Sequence, residues 1–174
     1  MITINRPEAA EYAPYYSRYV AHVPDGEILT TLEEQSSATL ELLRGISEPQ
    51  ADARYAPDKW SIKEVVGHIT DTERIFAYRA LRIARAGETP LPGFEQDGYV
   101  RHAGFDKHKL SDLAREFELV RQANLFLFRT LDEAAWHRRG TASEQEVSVR
   151  ALAYIIAGHE LHHVGILKER YLPT

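Results

Sequence analysis

Apolar residues recur at helical spacing in four stretches of this chain, and proline- and glycine-rich segments separate them. The first runs from Asp25-Gly26 through Ile28, Leu29, Leu32, Leu40, Leu42, Leu43 and Ile46 to a stop at Pro49. The second opens on Ser61-Ile62-Lys63-Glu64, a capping box with Trp60 and Val65 placed as a hydrophobic staple. Ile62, Val65, Val66, Ile69, Ile75, Phe76, Leu81 and Ile83 carry it toward Ala86, and Gly87 is expected to end it. The third spans Leu110 to Leu131, with Ser111 as its cap and Leu110, Leu113, Phe117, Val120, Leu127 and Leu131 on one stripe interrupted by Asn124. The fourth begins near Ser148 and continues to Arg170, with Lys168 and Arg170 suited to the negative end of the helix dipole.

No stretch reads as a convincing strand, so the fold class is all-α, a four-helix bundle. Residues 87–109 form a long connection broken by Pro90, Pro92, Gly93, Gly98 and Gly104. It is long enough to cross the bundle, so the helices on either side need not form a hairpin. A second connection, residues 134–146, is polar and holds Gly140. Residues 1–24, with Pro7, Pro14 and Pro24, read as an arm packed on the body. Residues 1–174 are expected to form a single domain.

The fourth stripe is unusual in its chemistry. Leu152, Ile156, His159, His163, Ile166 and Arg170 follow the rhythm of a bundle seam, so two imidazoles one turn apart face the core. His162 lies about 100° from His163 and falls beside the seam. On the second helix Val65, His68, Thr72 and Ile75 make a similar stripe, which turns His68 inward as well. An isolated histidine on an apolar stripe is ordinarily a hydrogen-bonded core residue. Several buried imidazoles, however, are costly without partners, and one cation satisfies them together. His68, His159 and His163 are therefore the expected metal ligands. Three neutral imidazoles suit zinc, nickel, iron or copper, with zinc or nickel preferred. Three protein ligands with an open position are the pattern of a catalytic site.

Other residues are candidates for supporting roles. Asp71, Glu73 or Glu160 can orient a ligand imidazole, although a solvated face or pairing with Arg74 or Arg79 explains the first two equally well. His159-Glu160-Leu161-His162-His163 also contains the H-E-x-x-H pattern of zinc proteases, but that reading puts one ligand off the seam. Asn124, Tyr99, Arg101 and Phe94 can line a substrate pocket, and Arg101-His102 can meet an acidic cofactor.

Composition narrows the classes. The formal net charge of −5 gives no general nucleic-acid footprint. The absence of cysteine excludes disulfides, a protein thiol nucleophile and thiolate ligation, and fits a reducing cytoplasm. Residues 1–14 lack the apolar run of a signal peptide, and no window is apolar enough to span a membrane.

Two segments resemble a known family. Lys59-Trp60-Ser61-Ile62-Lys63-Glu64-Val65-Val66-Gly67-His68-Ile69-Thr70-Asp71-Thr72-Glu73 is similar to the second helix of the DinB/YfiT-like superfamily. Gly158-His159-Glu160-Leu161-His162-His163-Val164-Gly165-Ile166-Leu167 is similar to its last helix, and the resemblance extends over roughly residues 25–171, including Pro92-Gly93-Phe94 and Asp97. It implies a four-helix bundle with a crossover connection, often a homodimer. It implies a divalent metal held by one histidine of the second helix and an H-x-x-x-H pair of the last, here His68, His159 and His163. Relatives include S-transferases and an isomerase that use bacillithiol or mycothiol, and many are described as metal-dependent hydrolases. The expected function is a metal-dependent enzyme acting on small molecules. The leading expectation is an S-transferase that activates a low-molecular-weight thiol of the bacillithiol or mycothiol type as cosubstrate, and the first alternative is a hydrolase using metal-bound water. The remaining alternative is a non-catalytic, metal-binding helical dimer.

Overall fold

The computed structural model describes residues 4–172. Four long helices carry the fold: α2 (Ile28–Arg44), α4 (Ile62–Ala84), α6 (Leu110–Arg129) and α8 (Val149–Ile166). Short helices α1 (Ser17–His22), α3 (Glu48–Ala51), α5 (Gln96–Ala103) and α7 (Glu133–His137) lie between or before them. Helix α4 packs on α6 and α8, and α2 packs on the same two. The long helices therefore run α2, α6, α4, α8 around the bundle, with α2 and α4 on one diagonal and α6 and α8 on the other. The diagonals are crossed by the α2–α4 and α6–α8 connections, whereas residues 85–109, the stretch long enough to cross, join the packed neighbours α4 and α6.

The start of α4 follows its sequence signal. Ser61 Oγ accepts from Glu64 N at 3.2 Å and Glu64 Oε2 accepts from Ser61 N at 2.6 Å. Its end differs in detail from the expectation at Gly87. Ala86 takes the left-handed conformation (φ 56°), and Gly87 N–H donates to Arg82 O at 2.8 Å. A Cβ on Gly87 would stand 2.8 Å from that carbonyl, so glycine is needed here for close approach. Helix α6 likewise starts without its expected Ser111 cap. Lys109 is the N-cap and gives no side-chain bond, while Leu110 N–H donates to Glu48 Oε1 at 2.9 Å.

Both connections hold more structure than their composition suggests. Residues 87–109 contain α5, capped by Glu95, and a short 3-10 turn, Phe105–Lys107. Residues 139–148 form an antiparallel hairpin, β1 (Arg139–Ala142) and β2 (Gln145–Ser148), where no strand was expected. Its two turn residues, Ser143 and Glu144, both have positive φ, the conformation of a tight hairpin turn that usually announces itself by Asn-Gly. Leu91 N–H donates to Thr141 O at 2.9 Å and Ser143 N–H donates to Leu91 O at 3.0 Å, so the hairpin grips the α4–α5 connection.

The arm reaches the bundle through α1, which packs along α8. It is anchored by Glu11, a buried carboxylate that accepts from Arg150 Nε and Ser148 Oγ, each at 2.7 Å. Of the arm, residues 1–3 lie outside the described residues.

The bundle centre is polar. Arg121 is buried and points inward from α6, where the sequence stripe placed Val120. Its Nε and Nη2 donate to the two carboxylate oxygens of Glu73 on α4, both at 2.8 Å. Nη2 also donates to Glu160 on α8 at 2.7 Å, and Nη1 donates to Leu32 O on α2 at 2.8 Å. Glu160 accepts further from Thr39 Oγ1 at 2.6 Å and from Gln35 Nε2, and Glu73 from Asn124 Nδ2 at 3.1 Å. Burial opposes the charge on Arg121, but the two carboxylates more than compensate and hold it protonated.

Arg121→Met strands two buried carboxylates and is expected to cost about 3–5 kcal/mol, read by urea unfolding against wild type. Glu11 provides a pH test. Burial raises its pKa, but Arg150, the Glu8 amide and Ser148 outweigh this and lower it from 4.5 to about 2. A carboxyl that is more acidic in the folded state stabilises the fold above its unfolded pKa and loses that contribution as pH falls toward about 2. Glu11→Gln should therefore reduce stability at pH 7 and flatten its decline between pH 5 and pH 2, as measured by thermal unfolding at each pH.

Candidate metal centre

His68 projects from the second turn of α4 and His159 and His163 from successive turns of α8. Their ring nitrogens converge: each offers a ligand atom, and these atoms all lie within 4.8 Å of one another. His159 Nε2 is 3.0 Å from His68 Nε2 and 3.1 Å from His163 Nε2. Two nitrogens bound at about 2.05 Å to a tetrahedral zinc lie about 3.3 Å apart, close to these separations. A single Nε2 presents either one N–H or one lone pair, so the His159 nitrogen has no good way to satisfy two imidazole neighbours in isolation. A shared cation does. The donor set therefore fits a divalent metal.

The imidazoles are held neutral and ready to ligate. Burial lowers His68 to about 4. Burial, and then the neighbouring histidines, push His159 well below its ordinary value, and the same causes act on His163. Trp60 lies against His68 at 4.7 Å between ring centroids and is stacked with His163 at 6.5 Å. Tyr19 from the arm meets His159 edge-on at 5.4 Å.

Two glycines bring these neighbours close, and each directly precedes a histidine of the cluster. A Cβ on Gly158 would fall 1.9 Å from Tyr19 O, so only glycine lets α1 lie this near His159. A Cβ on Gly67 would fall 2.4 Å from the Phe105 ring, which closes the side of α4 beside His68.

The supporting roles are distributed differently from the sequence reading. Thr72, one turn after His68, places Oγ1 3.5 Å from Nδ1. Glu73 faces α6 instead and, with Glu160, binds Arg121, so neither carboxylate orients a ligand imidazole. Position 73 is five residues from His68, about 140° around the helix, which explains the divergence. Asp71 pairs with Arg74 at 3.3 Å. His162 stacks on His22 at 6.0 Å and lies outside the cluster, which together with the burial of Glu160 removes the H-E-x-x-H arrangement.

Of the pocket candidates, Asn124 is spent on Glu73 and Arg101 is exposed. Tyr99 packs behind Phe94 at 5.5 Å. Phe94 itself lines a cleft of about 280 Å³ that opens onto His68 and His159. The aromatic arm residues Tyr15, Tyr16 and Tyr19 line it too, and sequence reasoning missed them. The run Tyr15-Tyr16-Ser17-Arg18-Tyr19 was the available signal.

Fold and site together define a class: a helical bundle with a crossed connection and a three-histidine cluster contributed by two helices. The model of the family described as the DinB superfamily matches residues 31–167, and the chain belongs to that superfamily. Its structure is similar to that of YfiT from Bacillus subtilis, with a TM-score of 0.66 and 16% sequence identity over 95% of this chain and 93% of that chain. YfiT is described as a probable metal-dependent hydrolase with an unusual four-helix bundle topology. No curated protein matches the sequence. No helix among the described residues is long and apolar enough to cross a membrane.

Because the obstructing atoms at Gly158 are backbone, Gly158→Ala cannot be absorbed by a rotamer change. It should destabilise the fold by about 1–3 kcal/mol and loosen the arm, read as faster proteolysis within residues 9–22.

Proposed function

We propose that this protein is a metal-dependent hydrolase whose divalent ion is held by His68, His159 and His163. The observation that carries this reading is the convergence of three neutral imidazoles, His68 and His159 buried at a cleft and His163 half-buried beside them. The likeness to YfiT supports it. When bound, such an ion supplies a water of lowered pKa and a Lewis acid for a carbonyl or phosphoryl oxygen. The chain contributes the rest. Trp60 and Tyr19 fix the imidazole planes, Thr72 stands at the His68 Nδ1, and the aromatic cleft displaces water around a substrate.

A second reading has its own support. Of the acids the sequence offers beside the histidines, Glu73 and Glu160 are both committed to Arg121 and cannot serve as bases toward water, and Asp71 pairs with Arg74. Transfer of a low-molecular-weight thiol needs no such base, because a metal-held thiol is already deprotonated.

Zinc is expected to bind the wild type at one per chain, and His68→Ala to weaken it by at least about a hundredfold, by equilibrium dialysis. Turnover of an ester or amide panel without thiol supports hydrolysis, whereas turnover only with an added small thiol supports transfer. Wild-type protein that takes up no divalent metal would overturn both readings.

A further inference from the structure

The cleft over His68 and His159 is built almost entirely from rings. Tyr19, which touches His159, meets Tyr15 at 6.0 Å between centroids, and Tyr15 meets Tyr16 at 5.3 Å. Tyr16 meets Phe76 edge-on at 5.8 Å, and Phe76 meets Phe94 at 6.4 Å. The five rings form one continuous wall that starts at a metal-site histidine and ends on the far side of the opening.

Gln96 and the tyrosine hydroxyls supply neutral polar groups at the cleft, while the charged groups nearest the wall are already occupied. Glu95 is the charged side chain lining the cleft, and its two carboxylate oxygens accept from Asp97 N at 2.7 Å and Gly98 N at 2.6 Å. Arg79 lies behind the wall, 5.3 Å from the Phe76 centroid and 5.9 Å from that of Phe94. It is buried, and its Nη2 donates to Pro92 O at 2.8 Å and Ser143 Oγ at 2.9 Å. Neither residue is free to recognise a charged group, and Arg79 instead stiffens the two phenylalanines.

We infer that the substrate of this site carries an aryl group, seated against the ring wall, next to the oxygen or sulfur atom that meets the metal. This rests on the three-histidine metal reading and adds the substrate class to it. A volume of about 280 Å³ is at the small end for ligand sites, so the aryl group is a single ring rather than a fused polycycle. Edge-to-face and stacked contacts favour a flat ring over an alkyl group of equal area.

The test uses the cobalt-loaded protein and two chelating probes that share one metal-binding head, benzohydroxamate and acetohydroxamate, with binding read from the cobalt absorption spectrum. Benzohydroxamate is expected to bind at least about tenfold more tightly. Phe94→Leu, which keeps an apolar side chain but removes the ring, should cut that ratio severalfold. Tyr15→Ala, at an exposed rim position, should cut it without endangering the fold. Equal affinity for the two probes in wild type, or a ratio unchanged in both variants, overturns the aryl assignment and leaves the metal reading standing. Failure of the wild type to bind cobalt overturns the metal reading and this inference with it.

Discussion

The bundle depends on a single guanidinium. Arg121 rises from α6 and reaches Leu32 O on α2, Glu73 on α4 and Glu160 on α8, so one side chain contacts every other long helix. Two of those contacts bear directly on the histidines. Glu160 follows His159 in the chain, and Glu73 lies five residues beyond His68. The clamp that fixes the separation of α4 and α8 therefore fixes how closely the imidazoles approach. Consecutive residues on a helix are about 100° apart, so α8 can show an imidazole to the cleft and a carboxylate to the bundle interior at one level. The polar lining of α2 belongs to the same arrangement. Thr39 and Gln35 are buried because Glu160 needs donors beyond Arg121.

The second constraint is the arm. Packing α1 on α8 requires Gly158, and that contact places Tyr19 beside His159. Upstream, Glu11 ties the arm to Arg150 and Ser148 at the start of α8. The same helix thus anchors the arm at its N-terminal end and uses it as a wall of the cleft about two to three turns later. Opposite, the hairpin holds Leu91 and Arg79 holds Pro92, which sets the position of Phe94. Both walls are segments outside the four long helices, attached by specific bonds to a rigid frame.

Much of this was legible in the residues. The capping box at Ser61 and the seams of α4 and α8 are local signals, and helical geometry alone turned His68, His159 and His163 inward. The third helix was less legible because its inward position 121 is an arginine. A charged residue reads as surface unless its partners are known, and those partners lie 48 and 39 residues away in the chain. For the same reason Glu73 and Glu160 were read as attendants of the histidines beside them. The hairpin escaped notice because its strands bury little apolar surface and its turn is Ser-Glu, a pair without the usual sequence mark of positive φ. The tyrosines of the arm carried no periodic pattern that linked them to a site. Only Gly158, through the close approach it permits, makes that link, and its meaning appears only with α1 in place.

The chemistry of the cleft follows from charge. A divalent ion held by His68, His159 and His163 would keep its full formal charge, since no carboxylate joins the set. Its surroundings offset little of that charge. Glu160 and Glu73 are committed to Arg121, Glu95 caps α5, and the near wall is aromatic. A fourth ligand would therefore have to supply the compensation, which would favour an anion and lower the pKa of an acid in that position. A bound ion would supply a lowered pKa to water and to a thiol by the same electrostatic route. The proposed hydrolysis and the thiol-transfer reading would thus draw on one site and differ in the nucleophile that the open position accepts. The ring wall would bear on that choice, because an apolar substrate seated against it would displace water.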